Sequence, residues 1–398
     1  MMKLNELIKE LCPNGVEYKT LGEVAKVTSG SSAPQENSDF SKNGIPFCRT
    51  SDVGKIHLSV DFNEIADRIT ETAARKMNLM PKGTILIPKS GASTLLNHKV
   101  RLNIESYVVS HLAAIIPNTN VINDRYLYYV LTSFDMGELV EDKSYPSVKT
   151  SDIAEKIKIP VPPLPVQEEI VRILDSFTEL TAELTAELTA RRKQYEYYRD
   201  ALLTAKTHKT EEVFLEDIAE YSKEKILASE VSADSYVGVD NLLQNCQGKE
   251  ASTHIPKEGN LTKYHPKDIL IGNIRPYLKK IWFADNMGGT NGDVLVIHPT
   301  SQKIIPRYLY FNLSSARFFD YDNSKSKGAK MPRGDKDIIM KYKLTLPPLS
   351  VQQRIVNVLD NFDTICSDLK IGLPAEIDAR KKQYEYYRDK LLSFPHCS

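Results

Sequence analysis

From Ile170 onward, seam positions recur at alternating spacings of four and three: Ile170, Leu174, Phe177, Thr181, Leu184, Leu188, Arg191, Tyr195, Tyr198 and Leu202. This 3.5-residue period keeps one stripe of a helix against a partner, so it predicts a coiled-coil seam of roughly forty residues, about 60 Å at 1.5 Å per residue. A second seam follows the same rule through Ile355, Leu359, Phe362, Leu369, Leu373, Arg380, Tyr384, Tyr387 and Leu391. It contains Gly372-Leu373-Pro374, where Gly should stop one helix and Pro start another, so this arm is expected to be broken or kinked. The first seam is entered through Ile159-Pro160-Val161-Pro162-Pro163-Leu164-Pro165, whose prolines cannot sit inside a helix. Two long seams in one chain pack most economically on each other, antiparallel; the alternatives are that each packs on its own neighbouring module or that the chain dimerises.

The segments flanking the seams are mixed in pattern. Strand-like runs at Gly83-Thr84-Ile85-Leu86-Ile87 and Ala113-Ala114-Ile115-Ile116 recur as Asp268-Ile269-Leu270-Ile271 and Leu295-Val296-Ile297. Arg125-Tyr126-Leu127-Tyr128 is answered by Arg307-Tyr308-Leu309-Tyr310, and the eight residues Lys193 to Asp200 return unchanged as Lys382 to Asp389. Pro162-Pro163-Leu164 with Val166-Gln167 reappears as Pro347-Pro348-Leu349 with Val351-Gln352. The chain is therefore duplicated. The expected division is a first module over residues 1–158, a helical region over 159–206, a second module over 207–343 and a second helical region over 344–398. The helical regions are nearly identical while the modules diverge, which suggests a fixed scaffold carrying two variable readers. Within the first seam Thr181-Ala182-Glu183-Leu184 repeats as Thr185-Ala186-Glu187-Leu188. Four residues are close to one helical turn, so each copy added or removed changes the rod by about 6 Å and turns it little.

The proline-rich entry, Gln167 and Gln352, the Thr-Ala-Glu-Leu repeat, the doubled Lys-Gln-Tyr-Glu-Tyr-Tyr-Arg-Asp and the opening Leu11 to Glu23 resemble the specificity subunit of type I restriction-modification systems over the whole chain. The resemblance implies an α+β architecture: two mixed α/β target recognition domains separated by two long helices in an antiparallel coiled coil, with an internal pseudo-twofold repeat. It implies a non-catalytic subunit whose domains each read half of a bipartite sequence in double-stranded DNA, with the helices setting half-site separation. The implied partners are two modification subunits, which bind S-adenosylmethionine and methylate adenine, and two restriction subunits, which cleave with ATP and Mg. No cofactor is expected in this chain.

Composition changes that picture little. The chain has 398 residues, 41% of them hydrophobic, and balances 52 basic against 52 acidic residues. That length holds two to three domains, and the neutral total fits a subunit whose partners share the neutralisation of phosphate. The start lacks a signal-like apolar run and no stretch is long enough to span a bilayer, so a cytoplasmic location without membrane contact is expected. The five cysteines form no close pair and no ligand-spaced set with the eight histidines, which argues against a disulfide framework or a metal site. The Pro-Pro pairs sit in linkers rather than in an amino-methyltransferase signature, and no phosphate-binding glycine loop occurs. Glu141-Asp142-Lys143 resembles a nuclease fragment but reads better as a solvated charge run.

Basic and amide side chains on loops beside strands are the candidates for DNA contact, since these reach phosphates and base edges. In the first module they are Arg49, Thr50, Ser51, Lys89, Ser90, Ser93, Lys143 and Lys149. In the second they are Asn273, Arg275, Tyr277, Lys279, Lys280, Lys325, Lys327, Lys330 and Arg333. Tyr195, Tyr197 and Tyr198 beside Arg191, Arg192 and Lys193 could be an aromatic-basic platform, but Tyr195 and Tyr198 fall on the seam and are expected in its core. Gln167 and Gln352 either fix the junction of module and helix or meet a partner. The competing functional reading is an interaction scaffold whose modules bind protein or carbohydrate. A third, an autonomous methyltransferase or nuclease, would require S-adenosylmethionine binding or cleavage by the lone chain.

Overall fold

The computed structural model describes residues 2–56, 58–205, 210–328, 330–367 and 372–396. It separates into two compact units, Met1–Ala182 with Ala379–Ser398, and Glu183–Asp378. The boundary between them falls inside one continuous 41-residue helix, Leu164–Thr204, called here the central helix. The second helical region is two helices, Leu349–Ser367 and Leu373–Leu392, the latter starting directly after Gly372 with Pro374 in its first turn.

Each unit is built around one sheet with two buried faces. In the first, the strand order is Ala25–Ser29, Leu112–Pro117, Ile85–Pro88, Lys99–Leu102, Leu58–Phe62. Alternate side chains of a strand point to opposite faces, and on the central strands both faces are apolar. Ile85, Ile87, Ala113 and Ile115 enter one core, whereas Leu86, Val100 and Ala114 enter another. The second unit orders Ala219–Tyr221, Val294–Pro299, Ile269–Gly272 and Ile281–Phe283 in the same way. The parity repeats too: Ile269, Ile271, Leu295 and Ile297 face one core, while Leu270, Val294, Val296 and Trp282 face the other. The continuous apolar runs seen in the sequence are thus strands covered on both sides.

One face of each sheet carries helices. In the first unit these are Asp124–Thr132, the start of the central helix through Val166, Ile170 and Leu174, and the end of the last helix through Leu391 and Leu392. Phe177 stacks on Tyr387 at 5.5 Å, one step further along the central helix and one step back along the last, so the two run antiparallel. In the second unit, Pro306–Leu313 packs with Leu203, Ile355 and Leu359, and Tyr195 and Tyr198 lie 6.5 and 5.9 Å from Phe362. There also the central helix pairs antiparallel, with Leu349–Ser367. The opposite face packs a second sheet: the three strands Asp67–Ile69, Phe40–Cys48 and Tyr107–Val108 in the first unit, and the four strands Lys225–Leu227, Asn260–Tyr264, Gly288–Thr290 and Tyr236–Val237 in the second.

The seam is not uniformly deep. Ile170, Leu174, Ile355, Leu359 and Leu391 are buried. Phe177, Thr181, Leu184, Leu188, Tyr195, Leu202, Phe362, Leu373, Tyr384 and Tyr387 are half-buried, and Leu369 lies outside the described residues. Tyr198 departs from the expected core position: it covers one face on Phe362 and remains 42% exposed. No helix among the described residues is long and apolar enough to cross a membrane.

Candidate nucleic-acid interface

Two constructions recur in both units. The first ties helix to module. Gln167, fully buried, donates through Nε2 to the carbonyls of Pro162 (2.7 Å) and Val121 (3.2 Å) and accepts from the Asn123 amide (2.8 Å). Gln352 donates to Pro347 and Lys303 (both 2.8 Å) and accepts from Ile305 (2.9 Å). Prolines leave their carbonyls free but supply no amide. The glutamine therefore joins the proline turn to the segment before the module's helix. Arg125 and Arg307 add a second tie: Arg125 pairs with Asp61 on strand Leu58–Phe62 and with Asp175 on the central helix, both at 3.0 Å, and Arg307 pairs with Asp360 at 2.7 Å and Asp363 at 3.0 Å. Arg307 also lies against Phe283, Tyr310 and Phe311, 4.8 to 5.2 Å from each ring. These residues were visible in the sequence only as a repeated Arg-Tyr-Leu-Tyr landmark.

The second construction brings together loops that are distant in sequence. In the first unit Lys89–Ser93 leaves the strand Ile85–Pro88 and meets Lys143–Lys149: Gly91 N–H donates to Pro146 O (2.8 Å), Val148 N–H to Lys89 O (2.9 Å), and Ser90 bridges Ser147. In the second unit Asn273–Lys280 leaves Ile269–Gly272 and meets Lys325–Arg333. Arg275 N–H donates to Pro332 O (2.8 Å), Gly334 N–H to Asn273 O (3.3 Å), and Ile274 bridges Arg333. Each pair of candidate loops is thus one two-loop platform at the end of a central strand. The framework is duplicated; the side chains are not.

On the first platform Lys143, Tyr145, Ser147 and Lys149 are exposed, Tyr145 by 83%, while Lys89, Ser90 and Ser93 are half-buried. The second carries exposed Arg275, Tyr277, Lys325, Lys327, Lys330, Met331 and Arg333. Two of its cations are already matched: Lys327 pairs with Asp335 (2.6 Å) and Arg333 with Asp293 (3.0 Å). Lys280 points inward, donating to Val239 O, and burial lowers its pKa. Lys279 is half-buried in a left-handed conformation. Asn273 is buried beneath the platform, where its Oδ1 and both carboxylate oxygens of Asp322 lack hydrogen-bond partners among the described residues. Burial pushes the Asp322 carboxyl up to about 6. Both groups crowd Gly334, where an added Cβ would stand 2.4 Å from Asp322 Oδ1 and 2.7 Å from Asn273 Oδ1, so a larger residue there would have to displace them.

Arg49, Thr50 and Ser51 belong to neither platform loop; they follow strand Phe40–Cys48 of the three-stranded sheet. There Arg49 pairs with Asp67, lies 5.6 Å from the Phe40 ring, and precedes the helix Thr50–Ile56. Among the described residues no group of three or more His, Cys, Asp or Glu could hold a metal ion. Tyr145 and Met331 are equivalent exposed residues before the two platform prolines, inside the loops that the sequence singles out by their cations.

Residues 13–191 and 208–379 each match the family model described as the type I restriction modification DNA specificity domain. The Escherichia coli EcoR124I/EcoR124II specificity subunit is 34% identical to this chain, covering 68% of it and 71% of the relative. A type I specificity subunit assigned in Haemophilus influenzae is 28% identical over 99% of this chain and 100% of its own length. Among solved structures, a chain from a type I restriction-modification assembly has a TM-score of 0.61 at 16% identity, covering 96% of this chain and 98% of its own. The S subunit from M. genitalium has a TM-score of 0.50 at 16% identity over 96% and 97%. With both halves matched by one model and both built on one plan, the chain belongs to the family of type I restriction-modification DNA specificity subunits, as a non-catalytic DNA-recognition subunit.

Proposed function

We propose that each two-loop platform reads one half of a bipartite site in double-stranded DNA and that the central helix sets the separation of the halves. The observation that carries this reading is the duplicated platform framework, with Gly91 N–H on Pro146 O and Arg275 N–H on Pro332 O, each 2.8 Å, bearing unrelated side chains. A fixed backbone frame with exchangeable exposed residues suits two readers of different sequences, since base edges are distinguished by side-chain donors, acceptors and methyl contacts. Lys143, Lys149, Lys325 and Lys330 then serve the phosphates.

The partners in this proposal are two modification subunits that hold S-adenosylmethionine and methylate adenine, and two restriction subunits that use ATP and Mg. Tyr197 and Tyr386, equivalent positions in the repeated eight-residue segment, are 70% and 61% exposed, each edge-on to the following tyrosine. Identical exposed surfaces on the two halves fit two copies of one partner, and tyrosine is enriched among residues that dominate such contacts. Methylome sequencing of a host with and without this gene tests the function. A two-part adenine-methylated motif should disappear with the gene; an unchanged methylome contradicts the reading.

A further inference from the structure

We infer that Arg275 is the base-reading residue of the second platform and that it selects a guanine in the half-site read by that unit. This rests on the proposed function above. The backbone supplies the first reason. Arg275 adopts φ 53° and ψ 66°, a left-handed conformation that costs an L-residue with a Cβ free energy and is usually left to glycine. The duplicated position in the first unit, which donates the equivalent hydrogen bond to the equivalent proline, is Gly91 at φ 80° and ψ −176°, a region that glycine alone enters readily. Arg275 and Lys279 both hold left-handed backbones in this loop, but only Arg275 combines that cost with an exposed side chain at the position that meets the platform proline, which marks it as a candidate for function.

The surroundings supply the second. Arg275 N–H is held by Pro332 O, and the turn Pro276–Leu278 that follows is fixed by Leu278 N–H on Arg275 O (2.9 Å), so the residue sits on a rigid base. Its side chain is exposed, and among the described residues the guanidinium has no hydrogen-bond, ion-pair or ring partner, in contrast to Arg333 on Asp293. An unpaired planar fork on a fixed stem, beside a strand end rather than on a long flexible loop, is suited to bidentate donation to O6 and N7 of guanine in the major groove. Lysine, a point charge without the planar fork, reproduces that geometry less well.

The test uses the full chain assembled with its cognate modification subunit and a randomised double-stranded DNA pool, comparing wild type, Arg275→Gly and Arg275→Lys. Arg275→Gly suits the left-handed backbone, so the melting temperature should hold. Discrimination at one G·C pair of one half-site should fall about 5- to 150-fold, with the other half-site unaltered. Arg275→Lys should keep affinity for nonspecific DNA yet lose the guanine preference. Unchanged selection by Arg275→Gly overturns the assignment, and so does a uniform loss of affinity for all sequences that lysine restores, since that reveals a phosphate contact. Loss of the whole half-site together with a lowered melting temperature would also overturn it, as a structural role. A wild-type complex that selects no two-part site would instead overturn the functional reading on which the assignment rests.

Discussion

Junction and platform are both duplicated in this chain, yet they have diverged to opposite degrees. At the junctions the chemistry is preserved side chain by side chain: Gln167 and Gln352 make the same three hydrogen bonds, and Arg125 and Arg307 both reach an aspartate on the helix, Asp175 and Asp360. At the platforms only the backbone pattern persists, and exposed Gly91 and Ser147 stand where the other half has exposed Arg275 and Arg333. Buried hydrogen-bonded groups tolerate little change because an orphaned donor or acceptor costs its full desolvation. An exposed loop side chain costs almost nothing to exchange. The scaffold is therefore held by energetics, and the readers are free to vary.

Four experiments probe that contrast, beginning with the largest effect. Gln167→Leu and Gln352→Leu each orphan two carbonyls and one amide, and each should destabilise its own unit by about 3 to 5 kcal/mol, to a similar extent in both, in thermal unfolding of the full chain. A large inequality would show that the junctions are not equivalent. Arg307→Ala should cost more than Arg125→Ala, about 3 against 2 kcal/mol, since Arg307 also loses its contacts with three rings.

Beneath the second platform, Asp322 supplies a pH dependence. Its folded pKa lies near 6 against an ordinary 3.8, so below pH 4 both folded and unfolded chains hold the proton. Between pH 4 and 6 the unfolded chain releases its proton first, and stability falls as pH rises, by about 3 kcal/mol in total. Asp322→Asn should accordingly raise the melting temperature at pH 8 and leave it unchanged near pH 4. An equal shift at both pH values would show that Asp322 is not held protonated. Smallest in free energy is the charge effect. Replacing Lys325, Lys327, Lys330 and Arg333 with alanine should weaken specific and nonspecific DNA binding together and flatten the salt dependence. The change in slope should be nearer two phosphates than four, because Lys327 and Arg333 already have carboxylate partners.

Much of the scaffold was legible because it is periodic. The four-three spacing from Ile170 to Leu202, the proline entries and Gly372-Leu373-Pro374 are local signals, and each marks a helix or its end in the structure. The platforms were legible only in pieces. Lys89–Ser93 and Lys143–Lys149 could each be singled out as loops, but the Ser90–Ser147 bridge joining them has no period to announce it. Lys280 looked like a surface cation because its acceptor, Val239 O, is brought to it by tertiary structure alone. Gln167 was undecided for the same reason: its partners lie both beside it, at Pro162, and far from it, at Val121 and Asn123. Tyr198 fits the seam period, yet the period does not report how much of a ring its partner covers.

The central claim, a scaffold that spaces two independent readers, is tested most directly by deleting Thr185 to Leu188 and mapping the methylome. The deletion removes about one turn, roughly 6 Å of helix. Base pairs rise about 3.4 Å, so the spacer between the half-sites should shorten by one or two base pairs while both half-site sequences stay unchanged. An active variant that keeps the original spacing would contradict the spacer role, and altered half-site sequences would contradict the separation of scaffold from readers.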